Sequence, residues 1–141
     1  MRVTAVLALL LALATGGALA DERTPAPADA SVYIIAPQDG ATVHSPLLVQ
    51  FGLRGMGIAP AGIKFDNTGH HHLLIDIDAP ADLAAPLPAN EHVRHFGKGQ
   101  TEARIELPPG KHTLQLLFAD QNHVPHNPPL LSQKITITVV P

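Results

Sequence analysis

Apolar and polar residues alternate only over short stretches of this chain. From Ser31 onward, runs rich in Val, Ile, Leu and Thr are separated by clusters of Pro, Gly, Asn and Asp, which end strands and begin turns. The pattern predicts strands over residues 32–36, 47–53, 70–77, 91–96, 101–107, 112–119 and 132–140. In the last of these, Ile135, Ile137 and Val139 alternate with Lys134, Thr136 and Thr138. In the run before it, Leu114, Leu116 and Phe118 share a face. Residues 79–89 are a Pro/Ala-rich connection without period. No helical amphipathic period and no internal repeat is found. Short strands with turn signals every 8–12 residues predict an all-β chain, an immunoglobulin-like Greek-key β-sandwich of about seven strands.

The amino terminus follows a different pattern. Arg2 precedes an apolar run over 3–14, and Ala18-Leu19-Ala20 places small residues before Asp21, the layout of a cleavable secretory signal over 1–20. The run is shorter than the ~20 residues that cross a bilayer. Residues 21–30, rich in Pro and Ala, read as a flexible tether, and 31–141 as one β-sandwich domain. Export of this kind implies the periplasm. No Cys is present to carry a lipid, and no later segment is apolar enough to insert in a membrane once the signal is removed.

Composition narrows the chemistry further. Nine Lys and Arg against twelve Asp and Glu give no basic stripe, so nucleic acid is not an expected partner. The absence of Cys removes thiolate chemistry and leaves the core to burial alone. With one Tyr, four Phe and no Trp, a stacking platform for sugars or bases is not expected. The distinctive feature is nine His, all beyond the leader. Imidazole is the commonest protein metal ligand.

With the predicted strands lettered A to G, the loops before C, before E and after F meet at one end of such a sandwich. The start of C carries Gly69-His70-His71-His72. The end of D, leading into the turn before E, carries His92 and His95, and the loop after F carries His123-Val124-Pro125-His126. Strand alternation puts His70 and His72 on one face and His71 on the other, with Leu73, Ile75 and Ile77. The face of His71 is then the core face, and His70 and His72 project outward beside Asp76. A one-residue register shift exchanges His71 and His72. Pro125 stiffens the loop that holds His123 and His126. His70, His72, His95, His123 and His126 are therefore the candidate metal ligands, and imidazole ligation suits copper or zinc. Met56, in the loop before C, falls near this end. His44 falls at the opposite end, and His92 reads as a surface residue. In Leu107-Pro108-Pro109-Gly110-Lys111-His112, His112 stands where a corner Tyr of such sandwiches bonds upstream backbone, so a corner hydrogen bond is its expected role.

Four stretches of this sequence resemble an uncharacterised family of exported bacterial domains, domain of unknown function 4399. They are Gly69-His70-His71-His72-Leu73-Leu74-Ile75-Asp76, His95-Phe96-Gly97-Lys98-Gly99-Gln100-Thr101-Glu102, Leu107-Pro108-Pro109-Gly110-Lys111-His112-Thr113-Leu114 and Asp120-Gln121-Asn122-His123-Val124-Pro125-His126. The resemblance implies a periplasmic bacterial protein and carries no function with it.

The residues alone point to a periplasmic histidine-rich module that buffers, delivers or senses copper, or alternatively zinc, with another periplasmic or envelope protein as a candidate partner. A metal-free envelope interaction domain is the second class, and a copper oxidoreductase on a sandwich scaffold the third. The sequence holds no H-E-x-x-H, no G-x-S-x-G and no recognisable pair of catalytic carboxylates, so no catalytic residue is assigned.

Overall fold

The computed structural model describes residues 22–141, so the expected leader lies outside the described residues. Ten strands follow in chain order: β1 (Ser31–Ala36), β2 (Thr42–His44), β3 (Leu47–Arg54), β4 (Gly57–Ile58), β5 (Thr68–Ile75), β6 (Val93–His95), β7 (Glu102–Ile105), β8 (Gly110–Ala119), β9 (Pro125–Leu131) and β10 (Ile135–Val140). No helix occurs among the described residues. One sheet has the order β1-β3-β7. The other runs β2-β10-β8-β5-β4, with β6 added to β5 and β9 to β8. The result is an all-β sandwich.

The core lies between the sheets and follows the alternation. Val32, Leu47, Val49, Phe51 and Ile105 from the first sheet meet Leu73, Ile75, Leu114, Leu116, Phe118, Ile135, Ile137 and Val139 from the second. Most are aliphatic, Phe51 and Phe118 supply rings, and the Val, Ile and Phe among them are residues that half-buried strands favour. All seven predicted runs contain a strand, with ends displaced by at most three residues in either direction.

The three strands missing from the prediction are short or proline-bearing. β9 contains Pro125, Pro128 and Pro129, which demote a run to an edge or to no strand at all. It serves as an edge: β10 pairs with β8 over Gly110 to Leu114, and β9 takes over at Leu117 to Ala119. At the changeover the Ser132 hydroxyl accepts the Leu116 amide at 2.8 Å, and the Ser132 amide donates to the Leu116 carbonyl. The last strand accordingly begins at Ile135 and not at Ser132.

Two expectations are corrected. The segment after Asp21 is not a loose tether in the part described. The Ala26 amide donates to the Asn127 carbonyl at 2.9 Å and the Asn127 amide to the Thr24 carbonyl at 3.0 Å. Ala26 and Ala30 also pack on the core. An extended Pro/Ala segment fits here because it lies along the proline-rich edge strand β9, with a parallel bridge at Pro25–Asn127.

His70 and His72, expected to project outward, are 0% and 1% exposed. They do point away from the main core, but that face is covered. A second apolar cluster of Leu74, Leu87, Val93, Leu117 and Ala119, joined by Ile77, Ala79 and Leu83, spreads the 77–92 segment over it. Ile77 belongs to this outer cluster and not to the main core. Asp76 takes a left-handed backbone (φ 60°), which breaks the alternation after Ile75.

Candidate metal centre

Strand β5 delivers two ligand-type side chains to one place because residues two apart share a face. The His70 and His72 rings lie 4.8 Å apart between centroids. His95 reaches them along an unexpected route. Its strand, β6, pairs antiparallel with β5, and His72 stands directly opposite His95. Cross-strand pairing, not the gathering of loops, places the third imidazole, 5.2 Å from His72 and 5.0 Å from His70. The fourth, His123, comes from the β8–β9 loop and lies 5.0 Å from His70 and 4.7 Å from His95. One ring nitrogen from each of the four can be chosen so that all lie within 4.8 Å of one another.

Local structure around the four explains how the chain holds them. The His123 backbone is left-handed (φ 64°), a conformation that a β-carbon disfavours. The Asp120 carboxylate compensates. Its Oδ1 accepts the Asn122 and Val124 amides at 2.8 and 3.1 Å, and its Oδ2 accepts the Thr24 hydroxyl at 2.6 Å. The Leu87 amide adds a bond to the His123 carbonyl at 2.8 Å, tying the covering segment to the same loop. Gly97 makes room for His95, since a β-carbon there would stand 2.2 Å from His95 Cε1 and 2.4 Å from Nε2.

The electrostatics favour neutral rings. Burial, with the neighbouring His95 and His123, pushes His70 down to about 4. Burial, then His70 and His95, pushes His72 down to about 3. His95 is lowered too, by burial and by His123. The only hydrogen bond within the four joins His70 Nε2 and His123 Nδ1 at 3.1 Å. His70 Nδ1 and both nitrogens of His72 are buried without a hydrogen-bond partner. A buried polar atom left unpaired costs about 1–3 kcal/mol, and native chains rarely keep several together. Neutral, desolvated, convergent imidazole nitrogens are what a metal ion requires of its ligands.

His126 is not brought to this group. Pro125 enters β9 opposite Ala119, so the chain crosses the sheet between His123 and His126. The His126 ring is fully buried and stacked on Phe118 at 5.7 Å, over Gly69 on the inner side. Burial lowers its pKa, opposed by the Asp120 charge. His71 is likewise internal, wedged between Phe51 and Phe118 at 5.1 Å from each, and burial pushes it down to about 4. Met56 packs on the main core. His92 bonds the Ile75 carbonyl through Nδ1 at 3.0 Å, and exposed His44 bonds the Pro141 carbonyl.

Asp76, expected beside His70 and His72, instead faces His112. Its Oδ2 lies 2.7 Å from His112 Nδ1, while Oδ1 accepts the Thr113 amide. His112 Nε2 bonds the Pro108 carbonyl at 2.8 Å, the corner bond its position predicts. Both partners are acceptors, an arrangement that favours the imidazolium, in which both ring nitrogens donate. Burial opposes that charge, but the bonds to Asp76 and Pro108 outweigh it and raise the His112 pKa.

Sequence reasoning missed Asp120 and Gly97. The signal for the first was available: an Asp-x-Asn at a strand end is an Asx turn, with the carboxylate capping amides two residues on. For Gly97 nothing local distinguished a turn glycine from one that a ring must lie against.

Fold and site together define a class: an all-β sandwich with four histidines converging on a face of one sheet. The chain belongs to the family described as Domain of unknown function (DUF4399), whose model matches residues 49–140 and so includes all four. Comparison with curated proteins and with solved structures gave no match.

Proposed function

We propose that this protein is an exported, periplasmic metal-binding module that holds a copper or zinc ion through His70, His72, His95 and His123 and buffers, delivers or senses it. The observation that carries the reading is the convergence of four imidazoles from three segments, two of them buried with ring nitrogens that no described residue satisfies. The fold itself satisfies both ring nitrogens of His112. At His70 and His72 three of the four have no partner among the described residues and, unlike those of His71, they converge with His95 and His123, so an ion can supply what is missing. The donor set is nitrogen alone, which suits zinc and copper and not the oxygen-seeking magnesium or calcium. His95 is exposed and His123 half-buried, so the ion has access from one side. Ligand exchange through that side suits a carrier better than a sealed structural site.

Calorimetric titration of the chain beginning at Asp21, without an affinity tag, tests this. One equivalent of copper or zinc is expected to bind more tightly than about micromolar, a free energy near −8 kcal/mol. The His70→Ala/His72→Ala/His95→Ala/His123→Ala variant is expected to lose that binding. Binding that is weak, non-stoichiometric or unchanged in the variant overturns the reading in favour of a metal-free envelope domain.

A further inference from the structure

Three of the four imidazoles rise from one sheet surface: His70 and His72 from β5, and His95 from the adjacent position on β6. The fourth, His123, comes from the loop after β8. Three donors on a surface with one from outside it make a pyramid, not a plane.

The separations agree. In a square of four rings the two diagonals exceed the edges by about two-fifths, whereas in a tetrahedron all six separations are equal. Here the six run from 4.7 to 5.9 Å. The opposed pairs with the largest separations, His70–His95 at 5.0 Å and His72–His123 at 5.9 Å, exceed the mean of the other four by about a tenth. Cupric ion prefers a tetragonal plane of donors, while ions with a filled d shell have no such preference and accept a tetrahedron.

Flattening the group is resisted on several sides. His70 and His72 are fixed by the β5–β8 ladder. The Asp120 bonds and the Leu87 amide hold the His123 backbone, and His95 lies against Gly97. The Asp120 carboxylate is taken up by Thr24, Asn122 and Val124.

Resting on the metal reading above, we infer that the site is shaped for a tetrahedral d10 ion, zinc or cuprous copper, and discriminates against cupric ion. Cobaltous ion is a visible probe of this shape. Titration of the Asp21-start chain is expected to give the intense visible bands of four-coordinate cobalt, lost on adding one equivalent of zinc. Cupric ion is expected not to displace that zinc, against the usual order of stability. Two further arms separate the sources: competition with a zinc chelator, and anaerobic competition with a cuprous chelator. Whichever ion survives the stronger competition is the cargo, and either result supports the inference. A stoichiometric cupric complex with a tetragonal electron paramagnetic resonance spectrum, displacing zinc, overturns the inference while leaving a metal site in place. Failure of all four ions to bind overturns the metal reading itself.

Discussion

Strand β5 has histidines near both ends, and their conditions are opposite. Beyond its carboxyl end, His112 has a carboxylate on one nitrogen and a carbonyl on the other, so its charge and its hydrogen bonds are satisfied by the protein. At its amino end, His70 and His72 are more deeply buried and leave three of their four nitrogens without a partner. Burial acts on both ends in the same direction, lowering the pKa, and only His112 has the counter-charge that reverses it. Histidine burial alone therefore says little about role. What distinguishes the two ends is whether the fold has already provided for each nitrogen. His71 is a third case, unpaired like the cluster but set between the rings of Phe51 and Phe118, outside the group of four.

The sharpest way to break this contrast is to remove one member of the unpaired end. His72→Leu is expected to weaken metal binding by more than about a hundredfold, beyond the 10–100-fold typical of residues that merely orient a ligand. In the metal-free chain the same change is expected to raise the thermal midpoint, because an unsatisfied buried nitrogen gives way to an apolar group. A fall in the metal-free midpoint would mean that His72 is held by the fold and that the two ends are alike.

At the paired end, His112→Phe is expected to cost about 1.5–3 kcal/mol in denaturant unfolding, the range for hydrogen bonds to charged groups, and to leave metal affinity unchanged. Its pH signature follows from the signs of the two shifts. His112 is raised from 6.5, so its contribution is complete below that value and is lost as pH rises through its folded pKa. Asp76 is lowered from 3.8, so its contribution is complete above 3.8 and is lost as pH falls through its folded pKa. The difference in stability between wild type and variant should therefore be greatest between about pH 4 and 6.5, and shrink both as pH falls through the folded pKa of Asp76 and as it rises through that of His112. The smallest effect belongs to the support of the unpaired end. Gly97→Ala is expected to displace the His95 ring and to lower metal affinity about tenfold, read by the same calorimetry, with little change in unfolding.

Legibility from sequence followed the same division. Alternation disclosed the core strands because each buries one face, and the parity of His70 and His72 against His71 came out as observed. The corner bond of His112 was readable because Pro-Pro-Gly fixes the turn before it. Coverage of the outer face was not readable. Leu83 and Leu87 lie in a Pro/Ala stretch without period, and nothing in their spacing says that they fold back over Leu74 and Leu117. The position of His126 was lost for a related reason: the proline that promised a stiff chelating loop is instead the first residue of a strand, and the chain changes sides at it.

The Thr24–Asp120 bond joins residues 96 positions apart, whereas His72 and His95 meet through a hairpin-like pairing of nearby strands. Bonds of such different reach brace different ligands: pairing within one sheet positions three imidazoles, while the loop of the fourth is braced by its own Asp120 turn and, at long range, by Thr24. Loosening the amino-terminal end would therefore act on one ligand and leave an ion a three-sided grip.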